Sequence, residues 1–220
     1  MNEIKARILR SIVDYPSNIA IESSQITLSY SEMSNYVNAY ISKINSKCHG
    51  SIENKYVLIY IHSPMEAIIA QIAILLSGGI CVPFDRQTPL AYYSIDRITD
   101  IACMITDDYE FQQQINFPVL RITEIEDRVS LENTGSAINI SKTSSENAYC
   151  IMTSGSTGVP KAVVLKQIAV VNQVDAKIEI LNMNSTSKIC FYMNLSFVAA
   201  IWQVLATFFV GGTLVVFLQD

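Results

Sequence analysis

Residues 148–165 read AYCIMTSGSTGVPKAVVL, which sets Thr153, Ser154, Gly155, Ser156, Thr157 and Gly158 between two apolar runs. Gly155 and Gly158 lack the side chains that would keep backbone N–H groups away from an anion. The hydroxyls of Thr153, Ser154, Ser156 and Thr157 add donors, and Lys161 adds a cation just beyond Pro160. Together these residue types suit a polyphosphate. A Ser/Thr/Gly run taken alone reads more readily as a flexible linker. The flanks decide between the two, because CIM and AVVL both have the composition of buried strands. The order is also not that of a Walker A loop, since Gly158 is followed by Val-Pro-Lys and a β-branched run rather than by Lys-Ser/Thr opening a helix.

The elements that must position this loop alternate along the chain. Ile4, Ile8, Leu9 and Ile12 recur at helical spacing until Tyr15-Pro16. IAIESSQITLSY reads as a hairpin, and a helix follows with Met33, Tyr36, Val37, Tyr40, Ile41 and Ile44 on one face. YVLIYI is a strand, Ser63 and Pro64 cap and open a helix running to Gly78, and ICVPF is the next strand. Past residue 160, KAVVL, KICFYM and TLVVF are strands separated by helices over residues 167–181 and 197–210. Repeated βα units predict an α/β fold, a layered and largely parallel β-sheet flanked by helices. Residues 123–147 are polar and low in aromatics, as expected of a surface excursion.

The TSGSTG-x-PK loop resembles the phosphate-binding signature of the adenylate-forming (AMP-binding) superfamily, and the chain looks most like an adenylation domain of a nonribosomal peptide synthetase. Leu28 to Met33 resembles the early L-[TS]-Y-x-E-L element. LLSGGICVPFDRQTP resembles a second one, with Gly79, Pro83, Asp85 and Pro89 in register. The resemblance covers essentially the whole chain. It implies that residues 1–220 are the N-terminal part of the large N-terminal domain of such an adenylation domain. The small C-terminal domain, the adenine-stacking aromatic, the ribose-binding Asp and the catalytic lysine have no counterpart in these residues, so the isolated chain is expected to be inactive.

The resemblance further implies ATP and Mg²⁺ as cofactors, with Thr153, Ser154, Gly155, Ser156, Thr157, Gly158 and Lys161 around the β- and γ-phosphates and the metal held through phosphate oxygens. It implies a carboxylic acid substrate, an acyl-adenylate product, and a phosphopantetheinyl carrier protein as acceptor. The missing C-terminal part of the same enzyme is a further partner. No catalytic residue is assigned within the 220 residues.

Three departures from the family pattern bear on activity. Ala162 stands where the family usually has Gly, and Gln167 where many members have His. AIWQVLATFFVGGTLVV aligns, through Trp202, with the FD-x-S-x-W-E segment, so Val198 replaces the Asp that pairs with the α-ammonium of an amino-acid substrate. A valine cannot offset the several kcal/mol, roughly, that desolvating an unpaired ammonium costs. The expected substrate therefore lacks an α-amino group, being a 2-keto, 2-hydroxy, aryl or simple acyl acid, in a pocket that includes Val198, Ala199 and Trp202. The same residues also read as the buried face of a helix, with Phe197, Val198, Ile201 and Trp202 in the stripe. An acyl- or aryl-CoA ligase shares the loop and also lacks the Asp. A non-catalytic nucleotide- or partner-binding module is the alternative outside enzymes.

Composition frames these expectations. Half of the 220 residues are hydrophobic, 16% are charged and the net charge is −5, with no Lys/Arg cluster, which argues against a nucleic-acid surface. The five cysteines form no C-x-x-C pair and read as reduced residues of a cytoplasmic protein. The charge-free runs over residues 67–84 and 189–219 contain Gly pairs, Pro83, Asn194 and Gln203, which fits buried α/β elements better than membrane spans. His49, His62 and the clusters Asp107-Asp108 and Glu124, Glu126, Asp127 read as structural or solvated, and Asp85 as a turn residue.

Overall fold

A computed structural model describes residues 2–89, 92, 95, 98–108, 115–123, 145–153 and 160–217. Five helices run through these residues: α1 (Glu3–Asp14), α2 (Tyr30–Lys47), α3 (Pro64–Leu76), α4 (Gln167–Ile180) and α5 (Val198–Val210). The strands are β1 (Ile19–Glu22), β2 (Thr27–Ser29), β3 (Tyr56–Tyr60), β4 (Ile80–Pro83), β5 (Ile101–Thr106), β6 (Val119–Arg121), β7 (Asn147–Thr153), β8 (Lys161–Lys166), β9 (Lys188–Phe191) and β10 (Thr213–Val216).

The helices start where local chemistry allows. Ser29 and Glu32 close a reciprocal capping box on α2, the Glu32 carboxylate accepting the Ser29 N–H at 2.7 Å. Ser63 caps α3, and Pro64 occupies its first turn, where the absent N–H costs nothing. At the far end of α5, Gly211 takes the left-handed φ of 74° that ends the helix.

The strands form two sheets rather than one. The first has the order β2-β1-β10-β9 and the second β6-β5-β3-β4-β7-β8. Neighbours are parallel except in the β1/β2 and β7/β8 hairpins. Helix α3 packs on β3 and β4, and α2 packs on α3 and on the β1–β2 hairpin, so this helix pair joins the sheets. Along β3, Val57 and Ile59 face the main core while Leu58 and Tyr60 face a second cluster with Val82, Phe84 and Met104. Burial on both faces explains the charge-free strands. No helix among the described residues is long and apolar enough to cross a membrane.

One sequence expectation is corrected. The run KAVVL is not buried: β8 is the outer strand of its sheet, and Val163 and Val164 are exposed. Composition showed an apolar strand but not that a neighbour covers only one edge. β6, a three-residue strand, was too short to leave a periodic signal. Most of the surface excursion expected over 123–147 lies outside the described residues.

Candidate functional site

The strands that flank the run rich in glycine and hydroxyls, β7 and β8, pair antiparallel. At the base of that run Thr153 pairs with Lys161 in the ladder, and the Thr153 hydroxyl donates to the Lys161 carbonyl at 3.2 Å. Both side chains are exposed, and Lys161 makes no ion pair with any described residue. Ser154, Gly155, Ser156, Thr157 and Gly158 lie outside the described residues. Below the loop, β7 is held inside the molecule: the buried Gln71 amide of α3 donates to the Tyr149 hydroxyl at 2.7 Å. A rigid strand thus carries the loop.

The two departures near the loop have structural explanations. Ala162 pairs with Met152 in an extended ladder and has no positive φ, so its methyl group carries no backbone strain. Gln167 is buried, and its side-chain amide donates to the Ser145 carbonyl at 2.7 Å while its backbone N–H donates to Glu146. It ties the start of α4 to the segment entering β7.

Val198 begins α5. Phe197 is the N-cap and supplies no side-chain acceptor, and the first turn contains no acid. Val198 is 40% exposed and Phe197 is exposed too, so these two are not part of the buried stripe; Ile201 is, at 1%. Ala199 is half-buried, and Trp202 packs beside the core with the Lys177 ammonium of α4 at 5.6 Å from its ring centre. The helix end is therefore accessible and electropositive, with nothing in its first turn to neutralise a cation. The loop hairpin belongs to one sheet and α5 to the other; α4, leaving β8, packs against α5 and connects them.

A crevice of about 60 Å³ lies where the carboxyl ends of β3 and β4 meet those of β9 and β10. Its walls include His62, Asp85, Arg86, Met193, Asn194 and Phe217. Carboxyl ends of strands are where open α/β sheets gather ligands. Sequence patterning missed this crevice, because its residues come from four separated segments. Asp107 and Asp108 are not the solvated surface pair their composition suggested. Asp107 is 19% exposed at its side chain, and its Oδ2 accepts the N–H groups of His62 at 2.6 Å and Ser63 at 3.1 Å. Arg86 stands 3.6 Å from Asp107 and 3.4 Å from Asp108, with its guanidinium 4.3 Å from the Tyr60 ring centre. The only signal in the sequence was the position of the acids, directly after an apolar strand. Asp85 is a turn residue as expected, its carboxylate accepting the Gln87 N–H at 2.9 Å.

Among the described residues no group of three or more His, Cys, Asp or Glu could hold a metal ion. His49 sits in a turn at φ 53°, and His62 is exposed. Glu124, Glu126 and Asp127 lie outside the described residues. All five cysteines are free; Cys81, Cys103 and Cys150 are buried, and Cys190 is exposed.

The arrangement of two sheets, joined helices and a glycine-hydroxyl hairpin has close structural counterparts. VinN superposes with a TM-score of 0.86 at 21% identity, over 97% of this chain and 56% of that one. The N-terminal subdomain of Klebsiella oxytoca NpsA superposes with a TM-score of 0.82 at 20% identity, over 98% and 54%. The fold is that of the N-terminal region of adenylate-forming enzymes. The sequence matches the AMP-binding enzyme family over residues 9–220, and the chain belongs to that family. Among curated relatives, the Delta-poly-L-ornithine synthetase of Acinetobacter baumannii is 28% identical over 97% of this chain and 16% of that protein. Nonribosomal peptide synthetase 8 of Aspergillus fumigatus is 29% identical over 90% and 2%. Malpinin synthetase of Mortierella alpina is 27% identical over 93% and 3%. The chain thus spans only a small part of the curated relatives it matches.

Proposed function

We propose that residues 1–220 form the first part of the large N-terminal portion of an adenylation domain in nonribosomal peptide synthesis. In that reaction a carboxylate oxygen attacks the α-phosphorus of ATP, pyrophosphate leaves, and the acyl group then passes to the thiol of a carrier protein's phosphopantetheine arm. The observation that carries this reading is the β7–β8 hairpin, which pairs Thr153 with Lys161 at the base of a loop of glycines and hydroxyls. Such a loop steadies charge moving onto the departing pyrophosphate through fixed N–H and O–H dipoles and the lysine cation. Mg²⁺, if bound with the nucleotide, would supply positive charge beside that of Lys161 at the phosphates, and no side chain of this chain is assigned to hold it.

The accessible end of α5 supports the choice of acid. An α-ammonium at Val198 would meet a positive helix end and no carboxylate, whereas a keto, hydroxyl or aryl group brings no charge to offset. The substrate is accordingly an acid without an α-amino group. In this reading no residue of the 220 is assigned to the adenine or the ribose, and the isolated chain is expected not to complete the reaction.

The test is acid-dependent exchange of labelled pyrophosphate into ATP by the polypeptide of the full reading frame, with matched amino, 2-hydroxy, 2-keto and aryl acids. Exchange is expected only with acids that lack the α-amino group, and Lys161→Ala should lower it by about 10²-fold. Strong exchange with an ordinary α-amino acid would overturn the assignment of Val198. Absence of exchange with every acid class would favour a non-catalytic module. Formation of a CoA thioester without transfer to a carrier would favour the CoA ligase.

A further inference from the structure

The strands β7 and β8 are held together in two different registers. Far from the loop, Asn147 pairs with Lys166, the Gln167 N–H donates to the Glu146 carbonyl at 2.8 Å, and the Gln167 side-chain amide donates to the Ser145 carbonyl. From Tyr149 onward the partners are displaced by one: Tyr149 faces Leu165, Ile151 faces Val163 and Thr153 faces Lys161. Ala148 is the extra residue, so β7 carries a β-bulge before it reaches the loop. Burial records the bulge independently. Ala148, Tyr149 and Ile151 all belong to the main core, whereas Cys150 belongs to the second cluster and Met152 packs against it. Regular alternation would send Ala148 and Tyr149 to opposite faces. Tyr149 is the residue that fixes the displaced register: it pairs with Cys81 on β4, and its buried hydroxyl takes the Gln71 amide of α3 at 2.7 Å. Gln71 is fully buried, and its side-chain oxygen has no hydrogen-bond partner. Packing alone does not explain such an amide, because an apolar side chain of that size would fill the same space without leaving an acceptor unpaired.

We propose that Gln71 is a positioning residue for the phosphate loop: through Tyr149 it holds the Ala148 bulge, and the bulge places Lys161 on the same face of the strand pair as Thr153. Residues directly opposite each other in an antiparallel pair project from one face. With the bulge, Lys161 lies opposite Thr153. If the register of Asn147 with Lys166 ran on without displacement, Lys161 would lie opposite Met152 and leave from the other face. This role rests on the reading of residues 153–161 as a phosphate-binding loop, in which the lysine and the hydroxyls converge on one polyphosphate. A slip of one residue separates them. Gln71 lies in the core and acts only through the strand.

The test uses the polypeptide of the full reading frame carrying Gln71→Leu with Tyr149→Phe, which removes both polar partners together and so leaves neither orphaned in the core. Register is read first. Thr153→Cys with Lys161→Cys in one chain, and Met152→Cys with Lys161→Cys in another, are treated with dibromobimane and the bridged peptides are mapped. With Gln71 and Tyr149 in place only the first pair should be bridged; in the Gln71→Leu, Tyr149→Phe background the second pair should become bridged. Pyrophosphate exchange is read next, with Thr153, Met152 and Lys161 intact. The KM for ATP should rise about tenfold while the KM for the acid changes by less than about twofold, a split that general loss of structure would not produce. Tyr149→Phe alone, which keeps the ring in the core, gives the same readouts should a thermal melt show the double variant unfolded. The proposal is overturned if the bridge stays between positions 153 and 161 in the substituted chains. It is overturned as well if the bridge shifts and the KM for ATP does not. A shifted bridge in a polypeptide that exchanges pyrophosphate with no acid supports the register clamp and counts against the phosphate-loop reading alone.

Discussion

Val198 and Asp107 show how much depends on single side chains at helix ends. At Val198 the first turn of α5 has no acid, so Val198→Asp adds the carboxylate that an ammonium needs. In the polypeptide of the full reading frame, this variant should shift the ratio of pyrophosphate exchange toward α-amino acids over 2-keto acids by at least about tenfold. An unchanged ratio would place the α-substituent elsewhere. Asp107 holds two N–H groups at the start of α3 and faces Arg86. Asp107→Ala orphans both donors and leaves Arg86 with Asp108 as its one acid partner among the described residues, so the urea midpoint should fall by the equivalent of about 1–3 kcal/mol. A change within about 0.5 kcal/mol would mean that water replaces the carboxylate. The sequence could not disclose this role. Two adjacent acids have the same composition whether they sit in solvent or cap a helix, and Arg86 is supplied by a different loop.

The elements themselves were legible wherever chemistry repeats or punctuates. Ser63 with Pro64 marked the start of α3 by stereochemistry alone, and the long apolar stripe of α2 followed from period, whereas the capping box of Ser29 with Glu32 and the left-handed Gly211 were not read as helix ends. Partner choice left no such mark. Whether AVVL lies inside a sheet or at its edge, and whether ten strands make one sheet or two, depends on contacts between distant segments. The candidate loop was readable from its own residues, while the crevice formed from residues near 62, 86, 193 and 217 was not. Gly211 combines both kinds of constraint. Its φ of 74° disfavours any side chain, and an added Cβ would lie 2.2 Å from Cδ2 of the Tyr15 ring. Gly211→Ala should therefore destabilise the chain by more than about 1 kcal/mol, read from chemical unfolding. Tyr15→Ala in the same background should recover part of that loss by removing the clash but not the backbone strain. No recovery would leave the left-handed conformation as the whole cause.

For the molecule as a whole, buried phenols and a buried thiol tie stability to alkaline pH. Tyr30 belongs to one side of the fold, where its buried hydroxyl donates to the Gly212 carbonyl at 2.8 Å, and Tyr149 to the other, where it takes the Gln71 amide. Burial pushes both phenols up, most of all by removing water from the charged form, and it pushes the Cys150 thiol up to about 11. Each group is an acid whose folded-state value lies above its unfolded one. Below about pH 8 both states keep these protons, and the stabilising difference is fully present. As pH rises through about 10, the unfolded chain releases tyrosine protons that the folded chain retains, and stability falls by about 1.4 kcal/mol per pH unit for each such group. Urea midpoints measured from pH 7 to 11 should hold nearly level at first and then drop steeply above about pH 9. Tyr30→Phe should cost about 1 kcal/mol at pH 7, where the Gly212 carbonyl loses its donor, yet shallow the alkaline slope by close to one proton. If the slope is the same with and without the Tyr30 hydroxyl, that phenol ionises within the folded chain, and the junction of α2 with α5 and β10 opens to water before the sheets come apart.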